Sequence, residues 1–591
     1  MTITQRVAAL RQKMAKRNLE AYIVPTSDPH QSEYVAEYYK TREYISGFTG
    51  SAGTAVITPN ACGLWTDGRY FLQAEEELKD TPFRLYRMGT EDPSVEEFLR
   101  ENVTPFGRIG FDGKCMALET YRKMGRDLGR RMLITDVDFI SEIWADRPAL
   151  PGKPAFCYSA EYAGQTVEEK LEVLRYMLRD REVDCTFIGA PEDVCYLYNI
   201  RGWDVECTPV FLSYALVSAE QAVLFGDLAR LPEEVCTSLA QAGVEVRAYE
   251  EAGEALAAIE GQKIVYLDPS RTNVSLFQKL ATNVKVQQGV NLTTLMKAIK
   301  NDCEIENSKE AYIKDGVALV KFFNWVETGV STGSITERNA CEKLHALRQE
   351  QEDFLEDSFS AIIGYASNAA IVHYNPMHQA KSTRIDAKHM LLVDSGGHYL
   401  QGTTDITRTV AMGKMNEAEM RDYTLVLKAH IAGMTAKFPK GTKGAVIDAI
   451  TRAPLRRECC DYNHGTGHGV GHVLSVHEGP QRFSAADNGV EIVPGMVTSM
   501  EPGLYVAGRH GIRIESITVC IAVEENQFGT FYALEPLTWV PIDTRPVMRD
   551  LLDAWEIDWL NSYNHTCYEK LSPHLEGEEL DYLTERCKPL A

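Results

Sequence analysis

The stretch NHGTGHGVGH, residues 463–472, sets His464, His468 and His472 four residues apart, with glycine at every second position from Gly465 to Gly471. Histidines at i and i+4 on a helix form one wall of a zinc site. Here the glycines oppose a helix, because each interior glycine costs about 1 kcal/mol against alanine. Glutamate follows neither His464 nor His468, so the HExxH zinc helix is also absent. An extended or looping backbone fits better, with glycines that let it lie close to a site. The three imidazoles share parity in such a segment and could line one side of it.

Carboxylates supply the rest of the chemistry. In MLLVDSGGHYLQGTTDITRTV (390–410), an apolar run ends at Asp394, Ser-Gly-Gly turns, and TTDITRTV alternates with β-branched residues. That pattern predicts a hairpin able to bring Asp394 and Asp405 side by side. Taken singly, each aspartate is equally readable as a turn residue or a solvated side chain. Downstream, Glu501 precedes Pro-Gly at a strand end, and Glu515 alternates with Arg513 along IRIESI. The flanking isoleucines 512, 514 and 517 imply burial, and a buried carboxylate is costly unless paired or bound to a cation. Arg513 could be that pair for Glu515. Four carboxylates and one histidine form a hard, oxygen-rich donor set of the kind that suits Mn²⁺ and similar ions. Two cations would offset the mutual repulsion of the four acids, which without metal would be unstable or partly protonated.

These residues need a frame to hold them. The chain has 591 residues, enough for two to four domains, and a composition of 44% hydrophobic and 25% charged residues, ordinary for a globular α/β (α+β) protein. A formal charge of −23, from 84 acidic and 61 basic residues, argues against nucleic acid as a partner. Val7, Leu10 and Met14 stand at helical spacing among Arg, Lys and Gln, which predicts an amphipathic first helix rather than an export signal. No stretch is apolar enough for a membrane span. The 14 cysteines include no CxxC pair and only one adjacent pair, Cys459 and Cys460. Reduced thiols in a cytoplasmic protein are the expectation.

Proline and glycine in ADRPALPGKPAF (145–156) predict a linker. A helical face of Ile313, Val317, Val320, Phe323 and Val326 begins after a strand-rich region, placing a second boundary near 298. The two segments before it, 1–150 and 155–297, each run through an apolar strand, an acidic loop, aromatics, a glycine turn and hairpin-like strands. A duplicated α/β domain is the expectation, followed by a third domain over 298–591 whose tail from about 530 is an extension.

In order and context, Asp394, Asp405, the His468 of HGTGHGVG, the Glu501 of EPG and the Glu515 of GIRIE resemble the pita-bread metallopeptidases, the group of methionine aminopeptidase, prolidase and aminopeptidase P. The stretches SDPHQSEYVAEYYKTREYISGFTGSAGTAVIT, WTDGRYFLQA, NIRG, AIVHYNP, VHEGP and the tail PLTWVPID with DWLN are similar to the long, three-domain aminopeptidase P form. The resemblance covers nearly the whole chain.

It implies two creatinase-like N-terminal domains and a pita-bread catalytic domain. Asp394, Asp405, His468, Glu501 and Glu515 would hold two divalent ions, Mn²⁺ first with Zn²⁺ or Co²⁺ as alternatives, Asp405 and Glu515 bridging. A hydroxide between the ions would attack the carbonyl before proline, so the substrates would be peptides with proline in second position. Glu501 would carry the proton, His373 or His477 would donate to the oxyanion, and His464 would hold the proline side. Arg513 matches a neighbouring arginine, and the assembly would be a homodimer. His472 and His510 match no family histidine and read as bystander or packing residues, and Leu504 stands where EPGYY has its first tyrosine. The alternatives are a prolidase-type dipeptidase and a pita-bread protein that binds partners without catalysis.

Overall fold

The computed structural model describes residues 1–379 and 381–590. It divides into two units, one of residues 1–160 with 165–296 and one of 161–164 with 297–591.

In the first unit the helix Ile3–Lys16 starts at a capping box between Thr2 and Gln5, and buries Val7, Leu10 and Met14. Its sheet is built outward from Ala21–Pro25. That strand pairs antiparallel with Thr54–Ile57, which pairs antiparallel with Cys62–Thr66, which pairs parallel with Arg84–Arg87. On its other side lie Arg108–Gly110 and then Met132–Ile134, both parallel. A second six-stranded sheet repeats this plan around Cys185–Ile188. Tyr214–Ser218 and Ala222–Gly226 are its antiparallel neighbours, then Glu245–Ala248 runs parallel at that edge. Ile264–Leu267 and Lys285–Gln288 fill the other side in parallel. Strand order and every strand direction agree, so the duplication expected from the sequence is present as topology. Residues 145–155, the proline-rich stretch, contain neither helix nor strand.

The second unit is organised on the helix Asp302–Gly329, opened by a capping box of Asn301 with Glu304. It buries Val317, Val320, Phe323 and Val326, as the sequence periodicity requires. Val317 and Val320 pack with Leu571, Leu575 and Leu583 near the C-terminus. Against the other side of the core lie Ile362–Tyr365, Met390–Ser395 and Ile406–Ala411, a three-stranded antiparallel sheet. A six-stranded antiparallel sheet runs in the order Lys437–Pro439, Gly529–Pro536, Ser516–Asn526, Val497–Met500, Gly467–Gly469, Glu478–Phe483. A separate ribbon pairs Gly503–Val506 with His510–Arg513.

Two local expectations need correction. The hairpin over 390–410 is two ladders, one nested in the other: a short pair, Gly397–Tyr399 with Gly402–Thr403, closes the long pair, and Asp394 registers opposite Thr407 rather than Asp405. IRIESI is not one strand either. A strand ends at Arg513 and the next starts at Ser516, so the period-two argument does not carry from Arg513 to Glu515.

Candidate active site

Five side chains converge, four from strand ends and His468 from a short strand at a register shift. Asp394 is the penultimate residue of Met390–Ser395, and Asp405 immediately precedes Ile406–Ala411. His468 is the centre of the three-residue strand Gly467–Gly469, Glu501 follows Val497–Met500, and Glu515 precedes Ser516–Asn526. Where a strand leaves its ladder the backbone can aim a side chain off the sheet, which is why chemistry collects at such points. Single ligand atoms of Asp405, His468 and Glu515 all lie within 4.8 Å of one another. His468 Nε2 is 3.4 Å from Asp405 Oδ2 and 3.5 Å from Glu501 Oε1.

Hydrogen bonds hold Asp394, His468, Glu501 and Glu515. The Glu515 backbone N–H donates to the Thr407 carbonyl at 3.1 Å, and the Thr407 hydroxyl donates to Glu515 Oε2 at 2.7 Å. The Ser499 hydroxyl accepts from the His468 N–H at 2.9 Å and donates to Glu501 Oε1 at 3.2 Å. His468 Nδ1 sits 2.9 Å from the Gly469 carbonyl, which leaves Nε2 turned to the carboxylates. Arg513 donates to Asp394 Oδ2 from Nη2 at 2.5 Å and from Nε at 3.2 Å. The partner of Arg513 is therefore Asp394 and not Glu515. The other oxygen, Asp394 Oδ1, is buried without a hydrogen-bond partner.

Electrostatics follow from this crowding. Burial raises the Asp405 carboxyl far above the usual carboxylate range, and the charges of Asp394 and Glu501 push the same way. Burial likewise raises Glu515, helped by Asp405, Glu501 and Asp394. Glu501 is raised by burial, with His468 and Arg513 opposing. An orphaned buried oxygen and three raised carboxyls beside His468 fit hard divalent cations, whose charge would reverse each of these shifts.

Beside the acids lies a second cluster. His464 Nδ1 is 3.9 Å from Glu501 Oε2, and its Nε2 is 2.8 Å from the Tyr505 hydroxyl. Arg513 Nη1 donates to the same hydroxyl at 2.7 Å. Burial pushes Tyr505 up to about 12 although Arg513 pulls it down, so the phenol keeps its proton at neutral pH. Arg513 Nη2 also donates to the Val372 carbonyl at 3.3 Å, which fixes the chain at the residue before His373. The His477 ring lies 4.3 Å from that of His468 and nearly perpendicular to it.

Tyr505, Thr407 and Ser499 were not singled out from the sequence. Tyr505 carried a signal, since it stands where EPGYY has its second tyrosine, while Leu504, at the first, packs into an apolar cluster. Thr407 and Ser499 carried none, because their roles depend on which strands are neighbours.

The opening histidines separate. His464 and His468 reach Glu501, whereas His472 is buried away from it, 3.3 Å from the Ser308 hydroxyl and 3.1 Å from the Tyr162 carbonyl. His510 is a buried packing residue, its Nε2 2.9 Å from Asp422. The glycines serve packing rather than access. A β-carbon would lie 1.9 Å from the Ser499 carbonyl oxygen at Gly467, 2.3 Å from that of Glu478 at Gly469, and 2.6 Å from that of Ser475 at Gly471.

Known proteins share this arrangement of parts. The model described as metallopeptidase family M24 matches residues 306–522, and one for the C-terminal region of that family matches 530–590. Creatinase/prolidase N-terminal domain models match 6–146 and 146–304. Aminopeptidase P1 of Arabidopsis thaliana is 36% identical, with 99% of each chain covered. A probable Xaa-Pro aminopeptidase P of Neurospora crassa is 37% identical, covering 98% of this chain and 87% of its own. Among solved structures, an X-prolyl aminopeptidase from Caenorhabditis elegans, described as a cytosolic enzyme with a di-nuclear active site, superposes with a TM-score of 0.95 at 33% identity over 100% of both chains.

Proposed function

The chain belongs to metallopeptidase family M24, and on that premise we propose that it is a metal-dependent aminopeptidase that releases an N-terminal residue when proline follows. The observation that carries the proposal is the convergence of Asp405, His468 and Glu515 within 4.8 Å, in a chain matched end to end by Xaa-Pro aminopeptidases. Matches to two N-terminal creatinase/prolidase domains and to the C-terminal region favour this activity over that of a dipeptidase.

Asp394, Asp405, His468, Glu501 and Glu515 would hold two divalent ions. Such ions supply Lewis acidity and lower the pKa of water, the chemistry that amide hydrolysis needs at neutral pH. The chain's own residues do the rest. Glu501, beside His468 and His464, would take a proton on its carboxylate and return it to the departing proline nitrogen. His373 and His477 are the proposed donors to the developing oxyanion. His464, with Tyr505 and Arg513 behind it, would hold the proline side by shape, since the proline nitrogen offers no N–H to read. Arg513 also anchors Asp394.

Manganese as the resident ion, a homodimer and a cytoplasmic location belong to the same proposal. A cytosolic relative supports the last, and no helix among the described residues is long and apolar enough to cross a membrane. So does a division into creatinase-like parts at 1–150 and 155–297 and a pita-bread part from 298, which the family-model spans and the unit break after Met296 support.

A panel of Xaa-Pro peptides from two to ten residues tests the activity. Release of the first residue from the longer members is expected. Cleavage confined to dipeptides would assign the chain to the dipeptidases instead.

A further inference from the structure

Each of the two aspartates stands beside a residue that reaches back to one buried ion pair. Asp315 lies on the helix Asp302–Gly329 and Arg348 on the helix Glu337–Gln349, and both are fully buried. Arg348 donates to Asp315 as a fork, Nε to Oδ1 at 2.7 Å and Nη2 to Oδ2 at 3.2 Å. The same Nη2 donates to the Ser395 hydroxyl at 3.0 Å, and Ser395 follows Asp394. On the opposite side, the Thr404 hydroxyl donates to Asp315 Oδ2 at 2.7 Å, and Thr404 precedes Asp405. Tyr399, from the nested hairpin, donates to Asp315 Oδ1 at 3.1 Å.

Neighbouring residues of an extended chain point to opposite faces. Asp394 can face the acid cluster while Ser395 faces the ion pair, and Thr404 and Asp405 divide their directions likewise. Between them the backbone has no slack. A β-carbon at Gly396 would fall 1.9 Å from the Thr404 carbonyl oxygen, and the Ser358 hydroxyl donates to that oxygen at 2.8 Å. The Thr404 hydroxyl also accepts from the Gly397 N–H at 2.8 Å.

A buried ion pair is a poor source of stability, since apolar residues of similar volume often serve as well. What it gives is geometry: the planar guanidinium fork holds its partners at fixed spacing. We propose that the Asp315–Arg348 pair is a brace that sets the separation of Asp394 and Asp405, through Thr404 and Ser395, and so tunes the affinity of the site for paired divalent ions. These four are positioning residues. The inference rests on the ligand assignment proposed above.

The test is calorimetric titration of Mn²⁺ into the metal-stripped full-length chain, wild type and variants, with circular dichroism and a thermal melt confirming the fold. Asp315→Asn and Arg348→Lys are expected to weaken Mn²⁺ binding about 10- to 100-fold, the range for outer partners of metal ligands. Ser395→Ala and Thr404→Val each cut one strut and are expected to weaken it several-fold. Electron paramagnetic resonance of the doubly loaded protein reads the spacing directly, and its exchange-coupled signal should change in all four. Should the first two variants fail to fold, the strut variants decide. Folded strut variants that bind two equivalents with unchanged affinity and spectrum overturn the brace. A wild-type chain that takes up no Mn²⁺ defeats instead the ligand assignment, and the brace with it.

Discussion

Two buried acidic places in the same unit behave in opposite ways. Glu478 is clamped between Lys297 Nζ at 2.9 Å and Lys300 Nζ at 2.8 Å, and all three side chains are buried. Burial opposes its ionisation, yet the two lysines outweigh burial and lower its pKa. At Asp394, Asp405, Glu501 and Glu515 the only guanidinium paired among the described residues is Arg513, and burial together with mutual repulsion raises Asp405, Glu501 and Glu515. Glu478 is balanced by the chain itself. The four-acid cluster is not, and that imbalance marks where outside cations belong.

Charge removal should therefore have opposite effects in the two places. Asp405→Asn is expected to lower kcat/KM by more than about 100-fold, the upper end for losing an outer partner of a metal ligand. It should also stabilise the metal-free protein, by relieving repulsion. Steady-state kinetics with an Xaa-Pro peptide and a urea melt of the stripped protein read the two effects, and a destabilised metal-free variant would remove the imbalance from the account.

Glu478→Gln should do the reverse, costing about 3–5 kcal/mol of stability, because it strands two buried ammonium groups. A chemical melt that moves by less than about 1 kcal/mol would mean that water or other groups already compensate the lysines.

The two places also differ in their pH dependence. Glu478 has a lowered folded pKa, so its contribution is present above its unfolded pKa of about 4.3 and is lost as pH falls through the folded value. In the metal-free protein Asp405, Glu501 and Glu515 have raised folded values. Their contribution is present below about pH 4 and is lost as pH rises through the folded values. The Tm of stripped protein should thus fall as pH rises above about 4, and added Mn²⁺ should remove or invert that slope. Parallel slopes with and without metal would contradict it.

The smallest effect belongs to His472, which joins neither place. His472→Ala should cost about 1 kcal/mol for its lost hydrogen bonds and leave kcat within about twofold. A large loss of kcat would return this histidine to the site.

Much of this was legible in the sequence, for reasons that vary by residue. The four carboxylates stood out because they occurred in or at the ends of strand-like runs. His468 was singled out from its neighbours only by the family resemblance. The helix of Val317, Val320, Phe323 and Val326 stood out because periodicity is local. The repeated sheet was visible only as a loose pattern, since strand order depends on pairings far apart in the chain. The partner of Arg513 was misread because the chain leaves its strand at Ile514, a break that no alternation reveals. The glycines from Gly467 to Gly471 were correctly read as close approach, but what they approach is neighbouring backbone. Asp315, Arg348, Lys297 and Lys300 were invisible, being ordinary charged residues on helices or, for Lys300, between two of them, until the fold buries each against its partner.

The central claim is that the four carboxylates and His468 hold two divalent ions on which cleavage before proline depends. Its most direct test is the hydrolysis rate of an Xaa-Pro-containing tripeptide by stripped protein, measured against added equivalents of Mn²⁺ per chain. The account predicts no rate without metal, a rise that saturates near two equivalents, and no rise in Asp405→Asn. Cleavage by fully stripped protein, or two equivalents bound without any cleavage, would contradict it.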